Sequence, residues 1–290
     1  MLAAALLFTV VTATAAQRMK VYISADMEGI GGIVSSNQVS RGQPEYESGR
    51  QLMTDEVNAA IEGALQAGAA EIVVSDSHGR GENLIPERLH PAARLVRGFP
   101  RPLDMMQDLD ASFGAVLLIG YHASSGTGDA TLAHTMSRRI ATLKVNGVTV
   151  AEGGFNAAVA GHFGVPVVLM SGDQASIEEM RKLVRDIEGV PVKVAHGMFS
   201  ATTMHPDASR RLIRDGARRA IERVRSIGPY RVTKPVELEI SFVHPADAEV
   251  ISWLPGVERT AGDTVRARLP DMVAAARFVS AAMWVSTPTQ

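Results

Sequence analysis

From Met19 onward, short runs of β-branched and aliphatic residues alternate with longer stretches in which apolar side chains recur every three or four positions. That alternation predicts a sheet covered by helices. Lys20 to Ala25 is the first strand. After a glycine-rich stretch, Leu52, Val57, Ala60, Ile61, Ala64 and Leu65 fall at helical spacing, which predicts a helix from Pro44 to Gln66 with Gly68 as its stop. Glu71 to Ser75, Arg94 to Val96 and Ala115 to Ile119 read as further strands of the buried type. Thr142 to Val145 and Val148 to Val150 flank Asn146-Gly147, a pair that supplies the positive φ angles of a tight hairpin. That hairpin leads into Glu152 and a helix from Gly153 to His162.

A strand from Pro166 to Met170 follows, then a helix from Ala175 to Ile187, a strand near Val192 and a helix from Pro206 to Ile227. A strand from Val236 to Phe242 and a helix from Asp271 to Met283 complete the pattern. The fold class is therefore α/β, a largely parallel sheet flanked by helices, with a smaller C-terminal α+β region. A soft boundary near residue 172 divides a metal-binding catalytic α/β domain (19–172) from that region (173–290).

Composition changes the picture at three points. Residues 1–16 form an uncharged apolar run ending in small residues, with Ala13-Thr14-Ala15 matching what a signal peptidase accepts, although no Lys or Arg precedes the run. Read as an export signal, it places the mature protein in the periplasm or outside the cell; translation from Met19 would leave it cytoplasmic. The net charge of -2, from 29 basic and 31 acidic side chains, gives no field to gather nucleic acid or an anionic membrane. With no cysteine, a transition-metal site must be built from His, Asp and Glu.

Such residues stand where ligands bind in open α/β sheets, just past the carboxyl ends of strands. Asp26 and Glu28 follow the first strand, Asp76 and His78 the second, His122 the strand ending at Ile119, and Glu152 the hairpin. Asp26 and Glu28, two positions apart in extended chain, face the same way, and two close carboxylates need a cation between them or a shared proton. The pair would also serve in a solvated turn, and Glu152 would also suit a helix start. Two histidines and three carboxylates suffice for two ions sharing a bridging carboxylate. Asp76 is placed to orient a neighbour from behind. His134, in the loop before the hairpin, suits acid–base work, and Asn156, one turn after Glu152, suits substrate positioning. Each would also serve as ordinary surface polarity. His90 precedes Pro91 in a turn, His162 lies near a helix end, His196, His205 and His244 lack carboxylate neighbours at ligand spacing, and Asp173 fits a helix cap or the rim of the site. Neither a zincin helix, a serine nucleophile elbow nor a phosphate loop is present.

The ordered set Ser24-Ala25-Asp26-Met27-Glu28-Gly29, Asp76-Ser77-His78, Gly120-Tyr121-His122, Ser137 after His134-Thr135-Met136, and Glu152-Gly153-Gly154-Phe155-Asn156-Ala157 resembles the binuclear-zinc D-aminopeptidases of the DppA type. The resemblance runs from Met19 to the end. It implies Asp26, Glu28, His78, His122 and Glu152 as the zinc ligands and His134 as the catalytic residue; two ions bridged by Asp26 are the expected arrangement. It further implies hydrolysis of short peptides with an N-terminal D-residue, and a ring-shaped homodecamer. Manganese or cobalt would suit the same donors. Two alternatives remain open: an exported solute-binding protein without catalysis, and a two-metal phosphoesterase, against which stands the lack of an Arg or Lys cluster near these motifs.

Overall fold

The structure, a computed structural model, describes residues 19–285. The apolar run 1–16 lies outside them. The chain enters on β1 (Met19–Ala25), short α1 (Ser36–Val39) and long α2 (Tyr46–Gln66), then β2 (Ala69–Asp76), β3 (Ala93–Val96) and β4 (Ala115–Tyr121). A hairpin of β5 (Ile140–Val145) and β6 (Val148–Thr149) precedes α3 (Glu152–His162), β7 (Val167–Asp173), α4 (Gln174–Leu183), β8 (Glu188–Gly197) and β9 (Ser200–Thr203). Then come α5 (Pro206–Glu222), β10 (Val236–Phe242), α6 (Pro245–Ser252), β11 (Val257–Ala261), β12 (Thr264–Leu269) and α7 (Met272–Val285).

Two sheets result. Seven strands run in the order β3-β2-β1-β4-β7-β8-β9, all parallel except the β8–β9 pair. Their central members are mostly apolar and largely buried, as strands covered on both faces must be. Five antiparallel strands form a second sheet in the order β11-β12-β10-β5-β6. The expected hairpin is present, with Asn146 and Gly147 at φ 49° and 80°.

Residue 172 does not separate these sheets. β8 and β9, beyond it, complete the seven-stranded sheet, and β5 and β6, before it, belong to the five-stranded one. Hydrophobic runs mark strands but carry no record of which sheet a strand joins. The helix expected to reach Ile187 stops at Leu183, and Ile187 turns into the core at 4% exposure.

Register places the site. Ala25 pairs with both Asp76 and Ile119, so the segments holding Asp26, His78 and His122 leave the sheet side by side. The loop after β1 lies hard against the end of β4: Gly29 N donates to Gly120 O at 2.7 Å, and a Cβ on Gly29 would sit 2.0 Å from Tyr121 O. Gly120 itself turns with φ +74°. Larger residues at these two positions would push the loop carrying Asp26 and Glu28 off the sheet.

Candidate metal centre

Asp26, Glu28, His122 and Glu152 are all at most 4% exposed. His78 is brought in by the loop after β2, which Asp76 holds: its carboxylate accepts from the backbone of Asn83 and Leu84, while Asn83 Nδ2 donates to the carbonyl of His78. Asp76 thus orients backbone rather than a ring. His134 comes from the long loop between β4 and β5, where Asp129, Leu132 and Met136 take left-handed φ angles of 48°, 52° and 57°. Asp173 pins that loop by accepting from Thr131 N at 2.8 Å, and with its other oxygen caps α4 through Ser176 N.

Each imidazole is fixed by a backbone carbonyl. His78 Nε2 stands 2.8 Å from Val39 O, His122 Nδ1 2.9 Å from Ala123 O and His134 Nδ1 3.0 Å from Leu132 O. A carbonyl only accepts, so these nitrogens carry the hydrogens. In the neutral rings the opposite nitrogens then present lone pairs, and those face carboxylates. His78 Nδ1 lies 2.9 Å from Glu28 Oε2 and 3.2 Å from Asp26 Oδ1. His122 Nε2 lies 3.3 Å from Asp26 Oδ2 and 3.4 Å from Glu152 Oε1. His134 Nε2 lies 3.4 Å from the same Glu152 oxygen, its ring stacked on His122 with centroids 4.0 Å apart.

Lone pairs facing anions in a buried pocket require positive charge between them. Asp26 Oδ2, Glu28 Oε2, His122 Nε2 and Glu152 Oε1 have no hydrogen-bond partner. Donor atoms of Asp26, Glu28 and His122, and separately of His122, His134 and Glu152, lie within 4.8 Å of one another. Two donors bound to one tetrahedral zinc at about 2.0–2.1 Å sit about 3.3–3.4 Å apart, the spacing of His122 Nε2 from Asp26 Oδ2 and from Glu152 Oε1. The residues therefore fit divalent cations. The backbone-held ring N–H groups are also what a metal-ligating imidazole uses to keep its orientation.

Without a cation, the same geometry draws protons. Burial pushes His78 and His122 toward the neutral form, but Glu28 and Asp26 around the first and Glu152 and Asp26 around the second raise both well above the ordinary histidine value. Burial likewise opposes charge on Asp26, yet the His122 and His78 imidazoles that face it hold its carboxyl down at about 2.

A cavity of roughly 390 Å³ opens beside the cluster, lined by Asp26, His78, His134 and Glu152. Asn156 does not line it. Its amide is buried beneath the site, donating to Tyr121 Oη at 2.9 Å and facing Met105 Sδ at 3.2 Å, so it braces Tyr121 instead of reaching a substrate. One turn of helix put it near Glu152 but rotated it toward β4.

Two residues at the site had no signal in the pattern. Lys193 interrupts the apolar run of β8, where an isolated Lys reads as ordinary alternation. Its ammonium is buried and donates to Glu28 O, Ile30 O and Ile33 O at 2.5, 3.2 and 2.6 Å, clasping the loop that carries Glu28. Asp104 lies in a turn with no strand end to draw attention to it, and lines the cavity.

The chain resembles known proteins over nearly its whole length. The family described as D-aminopeptidase matches residues 19–281. The D-aminopeptidase of Bacillus subtilis (strain 168) is 34% identical over 258 residues, covering 89% of this chain and 94% of that protein. The solved structure described as "Zn-dependent D-aminopeptidase DppA from Bacillus subtilis, a self-compartmentalizing protease" superposes with a TM-score of 0.91 at 32% identity, over 94% of this chain and 99% of that one. The chain belongs to the D-aminopeptidase family.

Proposed function

We propose that this protein is a zinc-dependent aminopeptidase that hydrolyses short peptides or amides bearing an N-terminal D-residue. The observation that carries the metal chemistry is the set of pinned imidazoles whose free nitrogens face unpartnered buried carboxylates. The D-residue preference follows from the family and from the relatives, both described as D-aminopeptidases.

Asp26, Glu28, His78, His122 and Glu152 would hold two zinc ions, with Asp26 offering one oxygen toward each histidine. Bound there, the ions would supply Lewis acidity toward the scissile carbonyl and make water a competent nucleophile near neutral pH. His134 is the proton carrier. Its Nδ1–H is held by Leu132 O, which leaves Nε2 at the cavity to accept a proton and deliver it to the departing amine. Glu152, 3.4 Å from that nitrogen, stabilises the imidazolium while it exists. Asn156 and Ser24 fix Tyr121 beneath the ligands, at 2.9 and 2.6 Å from its hydroxyl.

We further propose a closed homo-oligomer, a decamer by resemblance. Its support is the self-compartmentalizing relative and the exposed apolar hairpin of β8 and β9, where Val194, Met198 and Phe199 are 49, 43 and 62% exposed. Export through residues 1–16 would bring the enzyme to D-residue peptides released from cell walls.

A screen of zinc-loaded protein against matched D- and L-aminoacyl amides tests the reading. Hydrolysis restricted to the D-series is expected. Turnover of neither series, or of phosphate esters instead, would overturn it.

A further inference from the structure

The cavity holds one acidic group that the chemistry above leaves unused. Asp104 lines it together with Asp26, His134 and Glu152. Its carboxylate is 3% exposed, and Oδ2 has no hydrogen-bond partner. Arg101 acts on it electrostatically but forms no ion pair with it among the described residues: that guanidinium donates to Asp76 O at 2.8 Å and stacks 3.8 Å from the Phe99 ring, while its Nε has no partner. Burial pushes the Asp104 carboxyl up to about 6, with the positive charge of Arg101 pulling it back. The residue also holds a left-handed φ of 51°, a conformation uncommon for anything but Gly, Asn and Asp.

An anionic oxygen without a partner, buried in a reaction cavity, is costly unless something cationic visits it. An aminopeptidase substrate brings such a group: its α-ammonium sits one carbon from the scissile carbonyl, so whatever receives it must share the cavity with the ions. Charge balance points the same way. Three ligand carboxylates against two divalent ions would leave one positive charge, and Arg80 also lines the cavity, so a further carboxylate there lowers the repulsion an incoming ammonium meets. Asp104 supplies such a carboxylate, in the lining of the same cavity as Asp26 and Glu152.

We propose that Asp104 receives the free α-ammonium of the substrate and so imposes the requirement for an unblocked N-terminus. This rests on the aminopeptidase reading. Asp104→Asn keeps the shape and tolerates the left-handed backbone while removing the charge. For wild type and variant, kcat/KM is measured on D-alanyl-p-nitroanilide and on propionyl-p-nitroanilide, which lacks only the amine. The preference for the amine-bearing substrate should fall roughly 10- to 100-fold in the variant, mainly through KM, with zinc content unchanged. An unchanged preference overturns the proposal.

Calorimetric titration with alaninol of either hand gives a readout free of turnover: zinc-loaded wild type should bind at least roughly tenfold more tightly than the variant, and equal binding overturns the assignment. If wild type hydrolyses neither anilide, the aminopeptidase reading fails and the alaninol titration still decides the role of Asp104. If the variant does not fold, a crystal structure of wild type with alaninol decides it. An amine nitrogen at hydrogen-bonding distance from Asp104 Oδ2 supports the proposal, and an amine placed elsewhere overturns it.

Discussion

Lys193→Met removes the ammonium that holds the first ligand loop while keeping most of the aliphatic stem. Lys193 is 2% exposed and donates to three carbonyls within the segment 28–33. A hydrogen bond from a charged donor contributes about 1.5–3 kcal/mol, and such values do not add fully. Burial lowers the Lys193 pKa to about 8, opposed by Asp173, Glu56, Glu28 and Asp26, so the desolvated charge costs part of what its hydrogen bonds contribute. The net expectation is a loss of roughly 3–5 kcal/mol, the range for breaking a buried charged network by removing one partner. Because the clasped carbonyls include that of Glu28 itself, zinc affinity should fall as well, by about 10- to 100-fold, as when a supporting contact behind a ligand is lost. Urea unfolding of the metal-free protein reads the first quantity, and competition with a chromogenic chelator reads the second. Zinc affinity within twofold of wild type would refute the claim that Lys193 positions the ligand loop, even if stability dropped.

His134→Ala should lower kcat by roughly 100- to 10,000-fold while zinc content stays at the wild-type level; unchanged kcat, measured at saturating substrate, would remove the proton-carrier role. Glu56 is buried and accepts from Gly31 N at 3.1 Å, and burial lifts its carboxyl from 4.5 to about 7 against hydrogen bonds from Ser209 and Gly31. A folded-state value above the unfolded one means that the folded protein binds the proton more tightly, so this stabilisation is complete below about pH 4.5 and is lost as pH rises through about 7. At about 1.4 kcal/mol per unit, the decline should reach roughly 3 kcal/mol, and it should be absent from Glu56→Gln in urea titrations of metal-free protein; parallel pH profiles would contradict it. Mass spectrometry of the protein recovered from an exporting host should find an N-terminus shortly after Ala15, and a cytoplasmic protein starting at Met19 would overturn the export reading.

The parallel core was legible because β1, β2, β4 and β7 each carry a continuous apolar run, and because the strand-end rule then placed Asp26, His78 and His122 together. The second sheet was legible only at β5, β6 and β10. There β11 reads Val-Glu-Arg-Thr-Ala and is largely exposed, and at the edge of the seven-stranded sheet β9 reads Ser-Ala-Thr-Thr, so neither carries an apolar run. Both form because a neighbouring strand offers free backbone groups, which leaves no side-chain signature. The site followed the same division. Its ligands sit one to three residues past strand ends or at a helix start, but the approach of His134 depends on left-handed turns at Asp129, Leu132 and Met136, with no glycine among the three to announce them. Lys193 and Asp104 contribute through contacts that cross the fold, and Asn156 shows the converse, a residue close in sequence whose amide points to Tyr121 instead of the cavity.

The account stands most directly on the number of metal ions the cluster holds. Metal-free protein titrated with zinc, with bound metal counted by elemental analysis and turnover followed at each addition, should bind two ions per chain, and Asp26→Asn should lose tight binding of both. Binding of no zinc, or full activity at one ion per chain, would contradict the two-ion centre inferred from the facing imidazoles and carboxylates.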